Sequence, residues 1–281
     1  MTKGKIISHY DKKLIVYGDS YTDISTIPNE LKKINKPWFI NLVEHYSGKP
    51  YTQPWNMYEY DEYDYLNRGI SGSSPFYSYC KFKEDINYYT PEKIVFLFSA
   101  PTRVPLINGP GVGWATMPEK RSKTNINRQT NWSKQEKKYA LSQIRAWYEY
   151  FITEEKFIQF YHQSIYEDVQ KQCQKRNISL VFIEIMTQEE ERIQLDKSQL
   201  QYPFITNLRR VTDKEMEGRR NLCMSPGADA RSCHLNDTNN LKLSQTIIDC
   251  FNLQTPRIIE FDKIPGLDYS LETFKFYEAY C

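Results

Sequence analysis

Five consecutive apolar residues, Ile94-Val95-Phe96-Leu97-Phe98, preceded by Pro91 and followed by Ser99-Ala100-Pro101, constrain this chain more than any other stretch. A run so short, with no polar residue interleaved, fits a strand buried on both faces, the condition of a central strand in a parallel sheet. Parallel neighbours need crossover connections, most often helices. The flanking sequence supplies them. Leu14 to Tyr17 reads as a first strand, and residues 37–46 as a helix with Pro37 in its first turn and Gly48 at its exit. Tyr63 to Ile70 resembles a second strand, and a helix follows from Phe76 to about Tyr89. Residues 134–176 carry Ile144, Trp147, Tyr148, Phe151, Ile158, Ile165 and Val169 on an approximate helical face, as one long helix or two. Ser179 to Ile185 is the next strand, and Leu241 to Phe251 the last clear helix, with Asn236 or Asp237 as its N-cap. This alternation predicts a three-layer α/β/α fold with a central parallel sheet.

The rest of the chain is punctuation. Residues 49–62 are aromatic, acidic and proline-broken, hence a loop. Residues 103–133 hold Pro105, Pro110 and Pro118 with Gly109, Gly111 and Gly113. A stretch of that length without periodicity is either a binding loop or a plain surface insertion. The polar 187–201 region, together with the residues after it, reads as a second irregular segment. We expect one domain over residues 1–254 with the 103–133 insertion, followed by an aromatic tail, 255–281, that docks on its own domain or on a partner, including a second copy of the chain.

Charge and cysteine content narrow the class. The chain of 281 residues carries 37 Lys plus Arg against 35 Asp plus Glu, so no basic field argues for nucleic acid. No run reaches the roughly eighteen apolar residues of a membrane span. The N-terminal residues carry charge and no apolar core of a secretory signal. The six cysteines lack any CxxC pair, which indicates neither a zinc site nor a disulfide framework, and they read as reduced thiols of a cytoplasmic protein. No metal or cofactor motif is present; neither a Walker loop nor GxGxxG follows a strand.

Chemistry is suggested at the end of the first strand, where Tyr17-Gly18-Asp19-Ser20-Tyr21-Thr22-Asp23 turns away from the sheet. Ligand sites in doubly wound sheets lie at the carboxyl ends of the strands, which brings Ser20, Gly72 and the segment from Ser99 to Arg103 to one edge. A serine nucleophile needs a base. Of the four histidines, His9 precedes the first strand, and His45 and His162 fall within helical patterns. His234 lies in Asp229-Ala230-Arg231-Ser232-Cys233-His234-Leu235-Asn236-Asp237, directly before the last helix. The positive end of that helix dipole favours the neutral imidazole of a general base. The plainer alternatives are His234 as a surface residue of a capping loop and Gly72 as a turn glycine.

Gly18-Asp19-Ser20, the block Asn67-Arg68-Gly69-Ile70-Ser71-Gly72-Ser73 and the His234 loop, in this order, resemble the SGNH (GDSL-type) hydrolases. The nearest likeness is to divergent members encoded by tailed bacteriophages. The resemblance implies a flavodoxin-like SGNH hydrolase fold and a serine esterase without cofactor. Ser20 would be the nucleophile, His234 the base, and the amides of Ser20 and Gly72 the oxyanion hole. It also implies a small-molecule or glycan ester as substrate, such as an acetylated carbohydrate. Two departures stand out. Arg231 occupies the position of the family's acid three residues before the histidine, leaving Asp229 or Asp237 to orient His234, and we take Asp229. The family's Gly-x-Asn-Asp block is absent; Phe98-Ser99-Ala100-Pro101-Thr102-Arg103 stands there, so Ser99, Thr102 and Arg103, with Asp19, become candidate substrate-binding residues. Loss of an oxyanion donor lowers rates a hundredfold or more. The alternative is therefore a non-catalytic module of SGNH fold in a larger assembly, for a phage-encoded chain a virion.

Overall fold

The computed structural model describes residues 10–19, 21–24, 36–51, 59–60, 64–70, 73–99, 126, 132–147, 150, 155–185, 195–217, 235–253 and 255–269. Its centre is one seven-stranded sheet in the order β2-β3-β1-β4-β5-β6-β7. The strands are β1 (Tyr10–Tyr17), β2 (Glu59–Tyr60), β3 (Tyr65–Asn67), β4 (Tyr89–Phe98), β5 (Ser179–Glu184), β6 (Phe204–Thr206) and β7 (Ile258–Glu260). All neighbours pair in parallel except β2, which runs antiparallel to β3 at the edge. Counting the parallel strands alone in chain order gives 2-1-3-4-5-6, the flavodoxin-like winding with one strand more than the basic five.

Alternation along the strands divides the core in two. Leu14, Val16, Val95, Leu97, Val181, Ile183 and Ile205 face one side. There they meet helices α1 (Trp38–Ser47), α5 (Leu208–Glu217) and α6 (Asp237–Leu253). Ile15, Tyr17, Ile94, Phe96, Phe98, Leu180, Phe182 and Phe204 face the other. They meet α2 (Pro75–Asp85) and α4 (Glu155–Lys175). The first interface is mainly aliphatic and the second is a run of rings, with Phe96, Phe98, Phe182, Phe204 and Tyr166 in mutual contact. These are the three layers expected from the sequence. A further helix, α3 (Lys134–Trp147), precedes α4, so the 134–176 pattern is two helices.

Several boundaries differ from the sequence reading. Strand β4 starts at Tyr89 rather than Ile94 and runs through Pro91, which pairs with Lys12 of β1. Strand β5 joins only at Lys93, so Pro91 has a neighbour on one side alone, and the missing N–H is tolerated as on an edge strand. Helix α2 consequently ends at Asp85. Strand β3 covers only Tyr65–Asn67, and β2 forms within the segment expected to be loop. The region after residue 201 is not irregular: it holds β6 and α5. The buried face of α5 is Leu208, Val211, Thr212 and Glu215, helical spacing in which half the residues are polar. Within the segment read as a tail, β7 joins the sheet beside β6, and Phe261 in the 3₁₀ turn after it is fully buried.

Helix ends follow local chemistry. Pro37 is the N-cap position of α1, and Gly48 closes that helix with φ 68°, the left-handed conformation open to glycine. Asn236 caps α6, its Oδ1 accepting the Asn239 N–H at 2.8 Å. No described helix is long and apolar enough to cross a membrane. Cys80, Cys173 and Cys250 are free thiols.

Candidate active site

In this winding the chain leaves β1 towards β3 on one side and returns to β4 on the other, which puts the switch point, where sheets of this kind bind ligands, at the carboxyl ends of β1 and β4. Gly18 and Asp19 follow β1 at that end, and Ser99 follows β4. The turn after β1 is built by its own backbone. The Asp19 carbonyl accepts from Thr22 N–H and Asp23 N–H, both at 2.9 Å, and from the Thr22 hydroxyl at 2.8 Å. Asp19 Oδ1 accepts the Tyr21 N–H at 3.0 Å, bridging the position of Ser20. The aspartate is fully buried, so its described role is to shape the turn.

The segment after β3 is bound to this turn. Asn67 donates its Nδ2 to the Thr22 carbonyl at 2.7 Å and accepts the Gly69 N–H at 2.8 Å. The Gly18 carbonyl receives two donors, Ile70 N–H at 3.2 Å and the Ser73 hydroxyl at 2.9 Å. Ser99 then donates its hydroxyl to the Ser73 carbonyl at 3.1 Å, tying in the end of β4. Close packing here demands glycine twice. A Cβ on Gly18 would stand 2.7 Å from Thr22 Cγ2 and 2.9 Å from Leu97 Cβ, and one on Gly69 would overlap Thr22. Beneath the segment, Arg68 forms a two-pronged pair with Asp85, Nε to Oδ2 at 3.0 Å and Nη2 to Oδ1 at 2.8 Å, and Tyr17 adds its hydroxyl to Oδ2 at 3.2 Å. Burial, reinforced by the Asp85 charge, pushes the Tyr17 phenol well up. Burial alone would lower the Arg68 guanidinium, but its bonds and charge contact with Asp85 win and raise it.

The start of α6 reaches the same region. Trp38 Nε1 donates to the Tyr21 carbonyl at 2.8 Å, the Trp38 N–H donates to Asn240 Oδ1 at 3.3 Å, and Asn240 Nδ2 donates to the Leu235 carbonyl at 3.0 Å. Two side chains therefore connect Tyr21, the neighbour of Ser20, to Leu235, the neighbour of His234. A second route runs through α5. The Tyr21 hydroxyl is 3.1 Å from Thr212 Oγ1, and Glu215, one turn on, accepts the Asn236 N–H at 3.0 Å. Asp237 Oδ1 accepts the Lys36 N–H at 2.8 Å, fastening the entry to α1.

Of the residues singled out in the sequence, Asp19, Ser99 and Asp237 are described, and Asp237, the alternative carboxylate for His234, is bonded to the Lys36 N–H. Ser20, Gly72, Thr102, Arg103, Asp229 and His234 lie outside the described residues. His45 and His162 sit on α1 and α4 as expected, and His162 is buried against the Phe98 ring. The sequence reading missed Thr22, Asn67, Arg68, Glu215 and Asn239 as builders of this edge. Asn67, Arg68 and Gly69 were within the block already quoted, whereas Glu215 left no signal beyond its helical spacing with Leu208 and Val211. Among the described residues no cluster of His, Cys, Asp and Glu is placed to hold a metal ion.

No model of a known protein family matches the chain, and no curated protein sequence does. Among solved structures it is similar to that of a protein named TesA, at 10% identity and TM-score 0.40 over 86% of this chain and 99% of the other. It is also similar to an acetyl xylan esterase named AlAXEase, at 12% identity and TM-score 0.31 over 95% and 84%. A third is a catalytic mutant of Axe2, an acetylxylan esterase from Geobacillus stearothermophilus, at 10% identity and TM-score 0.37 over 90% and 100%.

Proposed function

We propose that the chain is a serine ester hydrolase of SGNH type. One observation supports this most: the residues adjoining the motif positions, Asp19 and Tyr21, Ser73, and Leu235, are joined by hydrogen bonds at the switch-point edge of the sheet. In this reading Ser20 Oγ attacks the ester carbonyl while His234 takes its proton. The oxyanion is held by the amides of Ser20 and Gly72. The tetrahedral adduct collapses, the alcohol leaves with the proton from His234, and an acyl-Ser20 ester remains. Water, deprotonated by His234, then releases the acid. Asp229 orients the imidazole, and Thr102 and Arg103 contact the substrate. The substrate class is a small ester or an acylated glycan, and no cofactor enters. A fluorophosphonate should label the protein, and Ser20→Ala should abolish the labelling. Labelling unchanged in that variant, or absent from the wild type, overturns the reading. A panel of acetylated sugars, acyl thioesters and phospholipids, with Ser20→Ala as control, then identifies the acyl class.

A second reading is favoured by the Ser99 hydroxyl, which is buried and already donated to the Ser73 carbonyl. With that donor engaged and Arg231 in the place of the family's acid, the chain is a non-catalytic binding or structural module, phage-encoded or otherwise. Wild-type protein that resists the fluorophosphonate yet elutes as a complex with itself or another protein is the outcome this reading requires.

A further inference from the structure

Glu215 is a buried carboxylate that the reaction above does not use. It projects from α5 onto the first turn of α6, and both its oxygens meet that turn: Oε2 accepts the Asn236 N–H at 3.0 Å, and Oε1 accepts Nδ2 of Asn239 in a short contact. Asn239 cannot turn its amide over. Its Oδ1 accepts the Asp268 N–H and its Nδ2 donates to the Asp268 carbonyl, each at 2.8 Å, so reversal would set like against like at both. The orientation of the asparagine fixes which group faces Glu215, and that group is a donor. Two donors therefore converge on residue 215, and only a carboxylate accepts both. A carboxylate at a helix N-terminus is also favoured by the dipole. The Asn236 N–H it holds is two residues after His234.

We infer that Glu215 is a positioning residue for His234: by clamping Asn236 and Asn239 it fixes the point where the chain carrying the base enters α6. The inference rests on the proposed hydrolase reading. Its partner Asn239 extends the clamp to Asp268, so α5, α6 and the segment after β7 meet at one polar node. Displacing a reacting group by about 1 Å can lower a rate about a hundredfold, which is the scale on which such a clamp acts.

The test is saturation kinetics of fluorophosphonate labelling at Ser20, which separates the maximal labelling rate from the half-saturating concentration. Glu215→Gln offers an oxygen to one donor and an NH2 group to the other, so one bond is lost. We expect the maximal rate to fall about tenfold or more with the half-saturating concentration unchanged, since the substitution displaces the base and leaves the reagent's own contacts intact. A wild-type maximal rate in folded Glu215→Gln, with Ser20→Ala unlabelled, overturns the positioning role and leaves the hydrolase reading standing. If Glu215→Gln fails to fold, Glu215→Asp decides: its carboxylate keeps the charge but is one methylene short of the two donors, and a wild-type maximal rate in that folded variant overturns the inference. Absence of labelling in the wild type overturns both.

Discussion

Thr22 fills the space where a side chain on Gly69 would stand: a Cβ there would lie 1.9 Å from Thr22 Oγ1 and 2.7 Å from the Asp23 nitrogen. The turn after β1 and the segment after β3 thus fit together only because residue 69 lacks a side chain. Gly69→Ala should destabilise the fold by about 3 kcal/mol, since neither backbone can retreat without breaking the Asn67 bonds. Urea denaturation measures it, and a variant within about 0.5 kcal/mol of wild type, the scatter of neutral surface changes, would refute the fit.

Asp85 is the acceptor for both Arg68 and Tyr17, and its side chain is 5% exposed against 19% for Arg68. Asp85→Ala leaves a guanidinium without its carboxylate and a buried phenol without its acceptor. The expected loss is about 3 kcal/mol. Tyr17→Phe removes one bond and should lose about 1.5 kcal/mol at most. Equal losses in the two variants would show that the charge pair contributes nothing beyond the phenol's bond.

Ser99 is a brace between β4 and the segment that leads into α2. Ser99→Ala should lower stability by about 1 kcal/mol, the usual net value of one hydrogen bond. Because its hydroxyl is donated to Ser73, the variant should label with fluorophosphonate at nearly the wild-type rate. A hundredfold fall, the size of a lost oxyanion donor, would assign Ser99 to the oxyanion instead.

Alkaline pH should unfold the protein cooperatively. Burial holds the phenols of Tyr46, Tyr65, Tyr79 and Tyr202 up at about 12, and raises those of Tyr17, Tyr161 and Tyr166 as well. The unfolded chain releases these protons near pH 10. Stability from these groups is complete below about pH 10 and is lost as pH rises towards the folded values, because the unfolded state binds fewer protons there. Tyrosinate absorbance and circular dichroism should change together above about pH 10. Full phenolic titration with unchanged circular dichroism would contradict this.

The elements legible in the sequence are those whose apolar pattern is local and dense. Ile94 to Phe98 and Ser179 to Ile185 announce central strands, and Leu241 to Phe251 announces α6. Strands of two or three residues, such as β2, β6 and β7, carry too few side chains to show a period. Helix α5 hides for a different reason: Thr212 and Glu215 occupy its buried face, and a polar residue at a core position looks like surface until its partners Tyr21, Asn236 and Asn239 are known. The edge of the site shows the same division. Gly18-Asp19-Ser20 and the block around Gly69 could be picked out by residue type. The Trp38–Asn240 link, spanning 202 positions, belongs to the tertiary structure alone.

On the β7 side the described sheet ends in a strand of three residues. Unpaired backbone on a long, flat outer strand templates the addition of further chains; β7 provides almost none. A second copy of the molecule, or a foreign peptide, gains little by extending the sheet at that edge, and contacts there fall to side chains, which are open to selection one residue at a time.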